Sequence, residues 1–160
     1  YDYSLYNKYD FMTARKRHHF LTKNPEYKYI QDSQKDPHIN ERITQKSLAL
    51  LEKQLSTIRA SENGAKKNIC SVIHMLPLAE LYPKKPIFNT TIAFMGSKHY
   101  GKLYDKYQVK LCVCAHSHQR MTLDKHQTRY VNVSLGHNFK WRYKTNLYQE
   151  LLNTIYVLNL

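Results

Sequence analysis

Three histidines in this 160-residue chain follow apolar runs of strand length. His116 and His118 come shortly after the run 109–113, and His74 ends the run 69–73. Short apolar runs of this kind are typical of buried strands. Imidazole nitrogens bind zinc, manganese and iron, and a strand end is a rigid place from which to direct them. The pattern predicts a metal site at one edge of a sheet; the alternative is a set of histidines in loops with no ligand role.

The three cysteines lie in the same apolar runs as these histidines. Cys70, Cys112 and Cys114 are an odd number, and all three lie among apolar residues. This predicts buried, reduced thiols in a cytoplasmic protein. Cys112 and Cys114 alternate with apolar residues and share one face of a strand. A structural zinc site that uses this pair with the histidines is an alternative to simple packing in the core.

The chain is strongly basic. It carries 25 Lys and Arg against 12 Asp and Glu, a formal net charge of +13. Such an excess favours anionic partners, namely phosphorylated substrates, nucleic acid or acidic membrane surfaces. No apolar segment approaches the roughly 20 residues that span a bilayer, so we expect no membrane span. The charge and the 14 tyrosines also support an alternative function, a nucleic-acid-binding module without catalysis.

The apolar spacing predicts an α/β protein. Residues 1–38 have no sustained period and are expected to form a long loop or insertion with a short helix. Apolar residues recur every three or four positions from 43 to 58, which predicts an amphipathic helix capped by Asn40 and ended at residues 63–64. The further elements expected are strands at 68–74 and 109–114, a helix at 97–107, a hairpin formed by 120–123 and 129–135, and a closing strand at 154–160.

The order of these features resembles the calcineurin-like metallophosphoesterases. The strand that ends at His74 has Pro77 soon after it, as in that family, and 115–118 (Ala-His-Ser-His) is similar to the family's Gly-His-x-His. The segment 131–136 matches an Asn-x-x-x-Gly-like strand ending. The resemblance covers residues 39–160. It implies a layered β-sandwich flanked by helices (α/β/β/α), of which this chain is the C-terminal portion, with 1–38 as a variable insertion.

The resemblance implies a dinuclear metal centre that hydrolyses phosphoesters, as a phosphatase or phosphodiesterase. His74 and His116 would bind one metal and His118 the other. Two divalent ions are expected, either Mn, Fe, Zn or Ni. The candidates for binding the phosphorylated substrate are Asn132, in the last motif, and His137, immediately after Gly136.

Three earlier motifs complete the metal centre in that family: Asp-x-His, Gly-Asp-x-x-Asp and Gly-Asn-His. These three motifs do not occur in that order in this sequence. We therefore expect the N-terminal remainder of the same domain to be a required partner, and the isolated chain to be inactive. A further departure is Ala115, where the family has Gly. If its backbone φ is positive, alanine there costs roughly 1 kcal/mol.

Overall fold

A four-stranded mixed sheet organises the part of the chain that the structure describes. The strands are β1 (Cys70–Val72), β2 (Leu111–Cys114), β3 (Arg120–Lys125) and β4 (Thr128–Val133), in the spatial order β1-β2-β4-β3. β2 pairs in parallel with both β1 and β4, and β3 pairs antiparallel with β4. The computed structural model describes residues 1–6, 8, 11–23, 36, 38–82, 91–136, 139 and 141–157.

Helices flank this sheet, so the expected α/β class is confirmed. Those of the described residues are α1 (Ala14–Lys23), α2 (Ile39–Ala60), α3 (Lys98–Lys106) and α4 (Leu147–Leu152). Short 3₁₀ turns lie at Gly64–Lys66, Ala79–Leu81 and Thr91–Phe94. None of the helices in the described ranges combines the length and the apolar character needed to cross a membrane.

The inner face of the sheet forms the main hydrophobic core with α2 and α3. Cys112 and Tyr130 are fully buried on this face and belong to the same cluster as Leu55 of α2 and Tyr104 of α3. The hydroxyl of Tyr104 is hydrogen-bonded to Ser71 of β1 at 2.8 Å. Because large side chains are buried here, this face anchors β1 and β2 and fixes where their carboxyl ends lie.

The outer face of the sheet is exposed at β1, which corrects the expectation of a wholly buried strand. Cys70 is solvent-exposed and Val72 is 76% exposed, while Ser71 between them is buried. Successive residues of a strand point to opposite faces, and the described residues leave the outer face uncovered at β1, whereas Leu111 of β2 and Val131 of β4 are buried on that same face. The prediction of a buried thiol is therefore wrong for Cys70 and confirmed for Cys112 and Cys114.

The loop that follows β1 is held by close backbone contact. The Leu76 N–H donates to the Met95 carbonyl at 2.8 Å, and the Ser97 N–H donates to the Leu76 carbonyl at 3.1 Å. A Cβ on Gly96 would lie 2.0 Å from that Leu76 carbonyl oxygen, so only glycine permits this approach. The contact fixes the chain directly after His74.

Several predicted boundaries shift. α2 begins after His38, and Asn40 is not its cap but lies inside the helix, buried, donating to the Tyr3 hydroxyl at 3.0 Å. The hairpin and the helix at 97–107 are confirmed as β3–β4 and α3, and the short helix of the first segment is α1. The closing strand is wrong over 154–157, which has no strand conformation because its first backbone N–H groups bond back to α4; residues 158–160 lie outside the described residues.

Candidate metal centre

The parallel strands bring the predicted ligand loops to one edge of the sheet. β1, β2 and β4 run in the same direction, so their carboxyl ends meet there. His74 and His116 each stand two residues beyond the end of a strand. The His74 carbonyl accepts the backbone N–H of Ala115 at 3.3 Å and of His116 at 3.0 Å. These two bonds tie the loop after β1 directly to the loop after β2.

The imidazoles of His74 and His116 are in direct contact. Nε2 of His74 lies 2.8 Å from Nδ1 of His116, and the ring centroids are 4.7 Å apart at an interplanar angle of 70°. Burial lowers the pKa of His116, and the neighbouring imidazoles of His74 and His118 lower it further. His116 is therefore neutral near pH 7, the form in which imidazole binds metals.

The second ring nitrogen of His116 is a buried polar atom. Nε2 makes no hydrogen bond of normal geometry within the described residues. The Phe94 backbone interacts with the ring and partly offsets the lowering of the His116 pKa. A buried nitrogen without a well-formed hydrogen bond is costly and calls for a specific explanation, such as a bound water, an ion or local strain. The nitrogen that contacts His74 is Nδ1, so the burial of Nε2 concerns the other side of the ring and does not by itself identify a metal ligand.

The pair fits part of a metal site. Two nitrogens bound to one zinc at about 2.1 Å lie about 3.4 Å apart in tetrahedral geometry. Nε2 of His74 and Nδ1 of His116 would therefore move apart by about 0.6 Å, release the proton between them and turn both lone pairs toward the metal. Among the described residues, however, no group of three or more His, Cys, Asp or Glu side chains is placed to hold a metal ion. The histidine pair therefore needs further ligands from outside the described part of the chain.

His118 occupies an unusual backbone conformation at the same edge. Its φ of 53° lies in the left-handed region, which is uncommon for a residue other than glycine. Gly136, itself at φ 67°, packs against it: a Cβ there would lie 3.4 Å from the His118 carbonyl oxygen. Ala115 does not have a positive φ, so the predicted cost of alanine at this position does not arise.

Buried polar groups support the loop between the two histidines. Ser117, 8% exposed, donates to the Leu81 carbonyl at 3.2 Å and accepts from Nδ2 of Asn132 at 2.6 Å. Asn132 is 2% exposed, and its Oδ1 is buried with no hydrogen-bond partner in the described structure. Its assignment as a substrate-binding residue stays a prediction. The sequence analysis missed Ser117, although a hydroxyl residue between two candidate ligands was a visible signal.

The remaining candidates among the described residues do not join this pair. His137 lies outside the described residues. Cys112 and Cys114 are buried at 0% and 1% exposure on the inner face, and burial raises the pKa of Cys114 to about 12 and also raises that of Cys112. Such thiols stay protonated at neutral pH, which favours packing in the core over the zinc alternative.

Comparison with known proteins finds a structural relative. No protein-family model matches this chain, and no curated protein matches it. The crystal structure of phosphopantetheinyl hydrolase from Mycobacterium tuberculosis is similar, with a TM-score of 0.63 and 16% sequence identity. The match covers 92% of this chain and 50% of that one. At this identity the likeness shows a shared fold, and the chain spans about half the length of the protein it resembles.

Proposed function

We propose that this chain is the C-terminal part of a metal-dependent phosphoester hydrolase of the calcineurin-like type and that it supplies the histidine ligands of a dinuclear centre. The observation that carries the proposal is the contact between His74 Nε2 and His116 Nδ1, 2.8 Å apart where two parallel strands end. Because the sheet already holds the two strand ends in place, histidines there lose little conformational freedom when they bind a metal ion.

Each histidine has a defined part in the proposed centre. His74 and His116 hold one ion, and His118, turned by its left-handed backbone, holds the second. The bound divalent ions would polarise the phosphoryl oxygens and lower the pKa of a water nucleophile. The backbone bonds from Ala115 and His116 to the His74 carbonyl keep the two loops in register while the site is loaded.

Exposed apolar side chains on the outer face at β1 and in the C-terminal segment support the proposal that the domain needs a second part. Val72 is 76% exposed on this face, and the apolar Ile155 and Val157 of the C-terminal segment are 62% and 74% exposed. Exposed apolar surface of this kind is characteristic of a region that packs against another layer or partner. In the proposed β-sandwich this layer comes from the N-terminal remainder of the domain, which would also carry the missing carboxylate ligands.

The substrate class follows from charge. A formal net charge of +13 attracts anions, and phosphoryl groups are the anions on which such a centre acts. The similar structure is named as a phosphopantetheinyl hydrolase, which agrees with hydrolysis at this type of fold. Both points support a phosphorylated substrate without selecting a particular one.

Activity of the isolated chain provides the test. Because it lacks the acidic ligands, we expect no hydrolysis of bis(p-nitrophenyl) phosphate above background with Mn²⁺, Zn²⁺, Ni²⁺ or Fe²⁺. Metal-dependent turnover by the chain alone would show that the centre is complete within 160 residues and contradict the proposed division. Tight single-stranded DNA binding that weakens steeply with salt, is insensitive to chelator and occurs without metal binding at the histidines would favour the nucleic-acid module instead.

A further inference from the structure

Ser117 lies between the two candidate ligands of the loop after β2, and its side chain points away from them into the protein. The residue is 8% exposed, whereas His116 and His118 on either side are partly exposed. Its hydroxyl accepts from Asn132 Nδ2 at 2.6 Å and donates to the Leu81 carbonyl at 3.2 Å. One buried hydroxyl thus joins the ligand loop to β4 and to the 3₁₀ turn Ala79–Leu81.

These contacts constrain the backbone at the point where it turns. The His118 N–H donates to the Ala115 carbonyl at 3.2 Å, closing a tight turn whose last residue has a φ of 53°. A left-handed non-glycine residue costs about 1 kcal/mol or more and persists only where its surroundings hold it. The contacts that hold this turn include the two bonds of Ser117, the packing of Gly136 against His118 and the backbone bonds of Ala115 and His116 to the His74 carbonyl.

Asn132 is the other half of this arrangement. It stands opposite Cys114 in the register of β2 and β4, so its amide reaches the ligand loop from the neighbouring strand. At 2% exposure it lies beneath the loop and does not face solvent. Its Oδ1 has no hydrogen-bond partner in the described structure, so the bond to Ser117 is the contact that justifies burying an amide here.

We propose that Ser117 and Asn132 are positioning residues: their buried hydrogen bond sets the directions in which His116 and His118 present their imidazoles to the metals. The inference rests on the proposed function, since it concerns the same centre. Outer residues that orient metal ligands typically change metal affinity 10–100-fold when they are removed. We expect the Ser117→Ala substitution to weaken Zn²⁺ binding about tenfold.

Zn²⁺ titration of the chain, followed by the imidazole ¹⁵N resonances of His74 and His116, tests the proposal without an activity assay. Ser117→Thr retains the hydroxyl and is expected to stay within about threefold of the unmodified chain, while Ser117→Ala falls about tenfold. Asn132→Leu approximately conserves side-chain volume but removes the amide. We expect it to weaken Zn²⁺ binding in the same way as Ser117→Ala. Because the two residues act as a unit, the double variant is expected to be no weaker than the worse single variant.

Ser71→Ala is the matched control. Ser71 is also a buried serine with one strong hydrogen bond, to Tyr104 at 2.8 Å, but it lies in β1 and not in the ligand loop. It is expected to lower stability and leave Zn²⁺ affinity unchanged. If the unmodified chain shows no response at His74 and His116, the proposed function fails. If it responds, and Ser117→Ala and Asn132→Leu bind as tightly as the unmodified chain, the positioning role alone is refuted.

Discussion

Arg59, near the end of α2, connects three segments that lead into the site. Its guanidinium donates to four backbone carbonyls: Tyr107 at 2.8 Å, Gln108 at 2.9 Å, Gly64 at 2.6 Å and Lys67 at 2.9 Å. The first two carbonyls close α3 just before β2, and the last two belong to the turn before β1. One side chain therefore ties both strands of the histidine pair to α2.

The effect of removing this side chain follows from those four bonds. A hydrogen bond from a charged donor contributes about 1.5–3 kcal/mol when buried, and less when water can replace it. Two of the four are partly buried and two are exposed, so the sum is about 2–4 kcal/mol for Arg59→Ala. A lysine cannot reproduce the planar set of donors, and Arg59→Lys is expected to lose about half of this.

Urea unfolding monitored by circular dichroism measures the change. For a chain of this size, 2–4 kcal/mol corresponds to a fall in Tm of roughly 5–15 °C. Arg15→Ala, at an exposed position of α1, is the matched control and should stay within about 0.5 kcal/mol of the unmodified chain. A loss below 1 kcal/mol for Arg59→Ala would refute the reasoning, because it would mean that water replaces all four bonds at no cost.

Three further predictions concern the packing around the site. Gly96→Ala places a Cβ 2.0 Å from the Leu76 carbonyl oxygen and should cost about 2–4 kcal/mol in urea unfolding; a neutral result would show that this loop is not held as described. Val72→Lys, at a position 76% exposed, should change the unfolding free energy of the isolated chain by less than about 0.5 kcal/mol, and a larger loss would mean that the outer face is covered at β1. Of the three thiols, only that of Cys70 should react with Ellman's reagent in the folded chain, the other two reacting after denaturation, and fast reaction of all three would contradict the burial of the inner face.

The sequence predicted the elements whose pattern is local. The amphipathic helix, the hairpin and the placement of His74 and His116 after strands all follow from spacing and composition. Parallel pairing of β1 with β2 then brings the two histidines together, as expected because the carboxyl ends of parallel strands meet at one edge of a sheet.

Features set by long-range packing were not predictable in the same way. Cys70 and Val72 lie in an apolar run that is typical of a buried strand, and only the layer covering each face decides which side chains are exposed. The bond between Ser117 and Asn132 joins the loop after β2 to β4, and neither local pattern signals this pairing. The left-handed turn likewise falls at His118, whereas the family pattern directed attention to Ala115.

The central claim is that His74 and His116 form the ligand pair of this chain. Substoichiometric Mn²⁺ added to the ¹⁵N-labelled chain broadens the resonances of nuclei near its binding site and tests the claim directly. We expect broadening centred on residues 74 and 116–118, abolished by the double substitution His74→Ala/His116→Ala and unaffected by His18→Ala/His19→Ala in α1. Broadening centred on α1, or none localised at the carboxyl edge of β1 and β2, would contradict it.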